Sequence, residues 1–166
     1  MNLLKLKVFF LSTLLQLCAL TTTAQESPFD TMVNALISEN VPVLSVEELQ
    51  TKRNIILLDT RTKAEYDVSH IDNAVWVGEK DWDLKSFEKF NKEQTVVVYC
   101  SVGYRSEKLV KKLLHLNFKK AFNLYGGIFD WVNKGYSVEN NRGLTDSIHG
   151  YDKSFVRWIE KGVVIF

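Results

Sequence analysis

The chain has 166 residues, 46% of them hydrophobic and 25% charged, with a formal charge of +1. That size suits one domain with a real core, and the composition excludes a disordered chain or a disulfide scaffold. The near-balanced charge offers no basic surplus, so no nucleic-acid partner is expected.

Lys5 and Lys7 precede an apolar run from Val8 to Leu20, followed by Thr21, Thr22, Thr23 and Ala24. A basic start, a short apolar stretch and small residues at its end describe a secretory signal peptide over residues 1–24, cleaved after Ala24. The run is short for a membrane span, and an uncleaved anchor is the alternative. Lipid attachment at Cys18 would want a small residue before it, and Leu17 stands there. Cleavage removes Lys5 and Lys7 and no acid, turning the formal charge from +1 to −1. The expected location is periplasmic or secreted, with no membrane attachment after cleavage. Cleavage also removes Cys18 and leaves Cys100 alone. A lone cysteine excludes an internal disulfide and a Cys-x-x-Cys oxidoreductase, and it argues against a cysteine-rich zinc site. No metal and no cofactor are expected.

Residues 25–40 read as a lead-in, with a short helix over 31–37. Residues 41–44 form a short strand, whose Pro42 suits an edge or a strand start. Ser45 and Glu48 make a capping box for a helix running to Thr51. Asn54 marks a turn. The apolar run 55–58 predicts a buried parallel strand ending at Asp59, Thr60 and Arg61. Residues 62–68 follow as a short helix carrying Glu65 and Tyr66, and 74–77 as a strand closed by Gly78. Leu84, Phe87 and Phe90 have helical spacing within 83–91. The β-branched run Thr95–Tyr99 predicts the central strand. Leu109, Val110, Leu113, Leu114 and Leu116 then share one face of a helix that starts at Ser106. Asn117 is placed to end that helix in the left-handed conformation. Ala121–Leu124 is the last strand, and Gly126-Gly127 breaks the chain before a helix over 128–133 with Trp131 on its apolar side. Alternating strands and helices predict an α/β fold, an open parallel sheet with helices on both faces. Residues 139–166 form a C-terminal extension, with a loop at 140–143 and apolar residues Phe155, Val156, Trp158 and Ile159. Packing on the domain is the expectation for it. A lip over the site or a partner contact is the alternative.

Cys100 ends the central strand, and Ser101, Val102, Gly103, Tyr104 and Arg105 lead into the helix at Ser106. Open α/β sheets bind ligands at such strand ends. A loop feeding a helix N-terminus presents free N–H groups backed by the helix dipole. That setting favours a thiolate, the nucleophilic form of cysteine, and Arg105 adds a fixed positive charge. A single cysteine at a strand end is otherwise read as a buried, inert thiol. The glycine, the arginine and the helix together favour a reactive site.

Cys100 through Ser106 resembles the active-site loop of the single-domain rhodanese-like sulfurtransferases. Leu58-Asp59-Thr60-Arg61, with Glu65-Tyr66 and His70-Ile71, resembles the family's upstream motif. Tyr125-Gly126-Gly127, with Trp131 and Gly135-Tyr136, resembles its closing motif. The three motifs stand in family order within residues 41–138, which sets the limits of the domain. Ser69 and Asn73 stand where the family commonly has glycine; both tolerate turns. Tyr104 is large for the loop and bears on donor choice.

The resemblance implies ping-pong covalent catalysis. Cys100 attacks the outer sulfur of a small donor such as thiosulfate, sulfite leaves, and the persulfide passes to a thiol or to cyanide. A protein sulfur acceptor is a further candidate partner. Cys100 and Arg105 are the catalytic candidates, with Arg105 binding the anionic donor or holding the loop. Ser101, Val102, Gly103, Tyr104 and Ser106 are the substrate-binding candidates. Backbone N–H groups from Ser101 to Arg105 would hold the anionic sulfur. Gly103 would let the loop curl inward, and Ser106 would cap the helix and reach the site. Asp59, Arg61, Glu65 and His70 are supporting residues. The first two are read as a clamp rather than a substrate contact, Glu65 as a residue of the helix surface or one standing behind the site, and His70 as a backbone-bonding residue rather than a general base.

Four residues separate Cys100 from Arg105. Phosphatases related to the rhodanese fold have a loop one residue longer, wide enough for a tetrahedral phosphate. The shorter cradle suits one extra sulfur. Two alternatives follow: a persulfide-carrying binding module that works with a protein partner, and a phosphatase or arsenate reductase on the same fold.

Overall fold

The computed structural model describes residues 26–166, so the expected signal peptide lies outside the described residues. Five parallel strands make the central sheet: β1 (Val43–Leu44), β2 (Ile55–Asp59), β3 (Val75–Trp76), β4 (Thr95–Tyr99) and β5 (Ala121–Leu124). Their spatial order is β1-β5-β4-β2-β3, which puts the β-branched strand in the middle. Its register sets Asp59 beside Tyr99 and Asn123 beside Val98, so several polar groups gather at the carboxyl edge of the sheet.

Helices α1 (Pro28–Leu36), α2 (Val46–Thr51), α3 (Lys63–Val68), α4 (Leu84–Glu88), α5 (Ser106–His115) and α6 (Gly127–Asn133) connect and cover the strands. Alternation along β4 divides the core. Val97 and Tyr99 face a cluster with Val46, Leu49, Ile128 and Phe129, whereas Val96 and Val98 face Phe87, Leu109, Val110 and Leu113. The α/β class with helices on both faces follows directly.

Most differences from the sequence-based limits lie at the edges. Pro42 has no N–H to pair, and only Val43–Leu44 join the sheet, at its border. The next edge strand likewise shortens to Val75–Trp76. The first helix begins earlier than expected, because Ser27 accepts from the Asp30 N–H and Pro28 sits in the first turn. The helix after β3 is confined to Leu84–Glu88, with Asp83 as its cap. Asn54, Asn73 and Asn117 take the positive φ values their turns require.

Strand β6 (Val138–Asn140) runs across the expected start of the extension and pairs antiparallel with β7 (Gly143–Thr145). Strand β8 (Ser147–His149) pairs in parallel with β9 (Val163–Ile165), and a 3₁₀ turn at Val156–Trp158 lies in the crossover between them. Phe155, Trp158, Ile159 and Val164 pack against the first core cluster, as expected.

Candidate active site

Cys100 follows the buried end of β4 and is itself 1% exposed. Gly103 takes φ +104, a conformation open to glycine, and its N–H donates to Cys100 Sγ at 3.2 Å. Two later amides fix the loop from behind: Ile128 N donates to the Cys100 carbonyl at 3.0 Å and Phe129 N to the Ser101 carbonyl at 3.1 Å. Gly127 makes that approach feasible, since a Cβ there would stand 2.4 Å from the Cys100 carbonyl oxygen.

Arg105 is not a free cation. Its Nη1 donates to Glu65 Oε2 at 2.8 Å and its Nη2 to Glu65 Oε1 at 2.6 Å, a two-pronged pair. Nη2 also donates to Ser101 Oγ at 2.9 Å, and Nη1 lies 3.3 Å from Glu79 Oε2. Ser101 in turn donates to Glu65 Oε1 at 3.0 Å. Glu65 therefore does more than line a helix surface. It caps α3 by accepting from the Thr62 N–H and hydroxyl, and it ties that helix to the cysteine loop. Burial pushes its carboxyl up, but the Arg105 hydrogen bonds and charge, with the Thr62 bonds, outweigh this and hold it at about 2. Burial alone would lower the Arg105 guanidinium; the Glu65 bonds and the facing Cys100 and Glu65 charges raise it above its ordinary value.

Ser106 departs from its expected place. It is the first residue inside α5 rather than its cap, and it is fully buried. Its Oγ lies 2.7 Å from Asn123 Oδ1 and 3.1 Å from the Gly103 carbonyl oxygen, to which Asn123 Nδ2 donates at 2.9 Å. The hydroxyl is committed to holding the loop rather than reaching into the site. Val102 is buried, and Tyr104 is exposed beside Lys108.

Asp59 and Arg61 form a wholly buried pair, with Nη2 to Oδ2 at 2.6 Å and a second donation to the Ser69 carbonyl at 2.6 Å. Among the described residues, no hydrogen bond or ion pair joins this pair to the Cys100 loop. It reaches the loop through Tyr99, whose ring lies 5.6 Å from the Arg61 guanidinium carbon. His70 stacks on Tyr66 at 3.9 Å, sets Nδ1 3.0 Å from the Tyr66 carbonyl and pairs its backbone with Glu139. None of these contacts belongs to the cysteine loop.

A cavity of about 170 Å³ opens beside the loop, lined by Leu36, Ser101, Val102, Tyr104, Arg105, Tyr151 and Phe155. The Tyr151 ring covers the Arg105 guanidinium at 4.5 Å. The extension thus packs on the core and also forms a lip at the site. A larger groove, of about 460 Å³ and lined in part by Leu49, Trp131 and Leu144, includes no residue of the cysteine loop. Sequence reasoning missed Asn123, Glu79, Leu36, Tyr151 and Phe155 as parts of the site. A polar residue inside the apolar stretch Ala121-Phe122-Asn123-Leu124 was a usable signal for the first; the others lie on segments with no local pattern pointing to the loop.

A family model described as rhodanese-like domain matches residues 43–134, more than half of the chain. The chain belongs to the rhodanese-like family. This rhodanese-like chain is 32% identical over 96 residues to the thiosulfate sulfurtransferase GlpE of Coxiella burnetii, covering 58% of the chain and 89% of that protein. It is 33% identical over 87 residues to the tRNA uridine(34) hydroxylase of Wigglesworthia glossinidia brevipalpis, covering 49% of the chain and 28% of that protein. Among solved structures it resembles the polysulfide-sulfur transferase homodimer of Wolinella succinogenes, with a TM-score of 0.54 and 26% identity over 68% of this chain and 88% of that one. At the level of the family, these likenesses support a sulfurtransferase-type enzyme with a sulfur donor and an acceptor, and they show the same domain inside proteins of other roles.

Proposed function

We propose that this rhodanese-like chain moves a sulfane sulfur from a small donor such as thiosulfate to a thiophilic acceptor, through a persulfide on Cys100. The observation that carries the reading is the Gly103 N–H donating to Cys100 Sγ at 3.2 Å, at the end of the central strand. A thiolate there has a fixed donor and the N-terminal end of α5 close behind it. The thiolate attacks the outer sulfur of thiosulfate, a sulfur–sulfur bond forms to Cys100, and sulfite leaves with the electrons of the bond that breaks. Cyanide or a thiol then takes the outer sulfur and returns the Cys100 thiolate. The amides of Val102, Tyr104 and Arg105 hold no hydrogen bond among the described residues and are the donors proposed for the second sulfur. Arg105 acts as a positioning residue, because Glu65 and Ser101 occupy its nitrogens. The basic and apolar start of the chain supports export, so the reaction is proposed to run outside the cytoplasm.

Intact mass before and after thiosulfate, and again after cyanide, tests the cycle. One sulfur gained, then lost, in the wild type and never gained in Cys100→Ser is the expected result. A free, reduced Cys100 that gains no sulfur overturns it.

A further inference from the structure

Three walls of the cavity beside Cys100 come from outside the matched residues 43–134. Leu36 ends α1, and Tyr151 and Phe155 belong to the crossover between β8 and β9. With Val102 and the exposed ring of Tyr104, they present mostly carbon to the opening. Arg105 is the one charged residue in that lining, and both of its terminal nitrogens are engaged. Glu65, Glu79 and Ser101 take its N–H groups, and the Tyr151 ring covers its face. Arg105, Glu65 and Glu79 together carry one negative charge in excess, a Cys100 thiolate adds a second, and Lys108 over the Tyr104 ring offsets one of the two. Such a mouth repels a dianion and gains free energy by covering apolar surface.

We propose that the preferred donor is a singly charged organic sulfane-sulfur compound, a thiosulfonate or a hydropersulfide, whose apolar arm rests among Leu36, Tyr104, Tyr151 and Phe155. The proposal rests on the Cys100 persulfide reading and names the substrate class for it. With a thiosulfonate, the Cys100 thiolate attacks the outer sulfur and forms a sulfur–sulfur bond. The bond from that sulfur to the sulfonyl sulfur breaks, and its electron pair leaves on the sulfinate. Two single negative charges enter and two leave, with no proton or oxidant required. With a hydropersulfide the same attack on the terminal sulfur releases a thiolate. Thiosulfate, a dianion without an arm, is the slower donor.

The test is kcat/KM for benzenethiosulfonate, methanethiosulfonate and thiosulfate, with cyanide as acceptor. In a ping-pong scheme this constant reports the donor half-reaction alone. The aryl-over-methyl ratio is compared between variants, which cancels the intrinsic difference between the two leaving groups. It falls about tenfold in Phe155→Ala and in Tyr151→Ala. Tyr151→Phe, which puts the ring back, restores it, and Leu144→Ser, on the separate groove, leaves it as in the wild type. Tyr151 is 44% exposed, so its variant keeps the test available should Phe155→Ala fail to fold. An unchanged ratio in folded, active alanine variants overturns the donor class and leaves sulfur transfer standing. If no donor loads Cys100 in the wild type, the persulfide reading falls, and this inference falls with it.

Discussion

Two arginine–carboxylate pairs stand near the carboxyl edge of the same sheet, and they serve opposite ends. Asp59–Arg61 closes at 2.6 Å with both side chains 0% exposed, whereas Glu65–Arg105 closes at the same distance with side chains 3% and 12% exposed. The first pair is sealed under the backbone: Arg61 also holds the Ser69 carbonyl, and Trp76 Nε1 donates to the Arg61 carbonyl at 2.9 Å. The second lies at the mouth of the site and spends its bonds on the cysteine loop. The same chemistry secures a chain crossing in one place and shapes a reactive loop in the other. What separates the two is depth and whatever lies on the open side.

The largest effect expected from this contrast is on stability. Asp59→Ala leaves the Arg61 guanidinium buried without its counter-charge and lowers unfolding stability by about 3–5 kcal/mol, read by urea denaturation. Glu65→Gln comes next. It costs about 2 kcal/mol near neutral pH and slows sulfur transfer more than its stability loss accounts for, because the loop loses its tie to α3. The pH profile sharpens the distinction. The folded-state value of Glu65 lies below its ordinary 4.5, so its ionised form is the stabilising one. That contribution is complete above 4.5 and disappears as the pH falls toward about 2. The stability gap between wild type and Glu65→Gln therefore narrows over that window. A gap that stays constant, or a neutral-pH loss as large as that of Asp59→Ala, would break the comparison. Ser106→Ala is the smallest. It removes one buried partner of Asn123 and costs about 1 kcal/mol, with a modest loss of activity and no change in donor preference.

The sheet was legible because its signals are local. A β-branched run marked β4, a capping box at Ser45 and Glu48 marked α2, and an apolar stripe marked α5. The cysteine loop could be read for the same reason, since its residues are contiguous. Its supports were not. Thr62 and Glu65 spell a second capping box, but nothing in that spacing says that the carboxylate also reaches Arg105 across 40 positions of chain. Ser106 looked like a cap because it follows a loop and opens a helix, yet β5 brings Asn123 to within 2.7 Å and takes its hydroxyl away from the site. Tyr151 offered no sequence signal at all, because its position over Arg105 depends on how β8 and β9 pair.

The cysteine loop is held by Glu65 from α3, by Asn123 from β5 and by the Ile128 and Phe129 amides of α6. Each tether comes from a different part of the chain, and none survives the undocking of its own element. The order of the loop therefore rests on three elements at once rather than on its own local bonds. A loop tied in this way shares the stability of the elements that hold it. Displacing any one of α3, β5 or α6 would remove one side of the frame around Cys100.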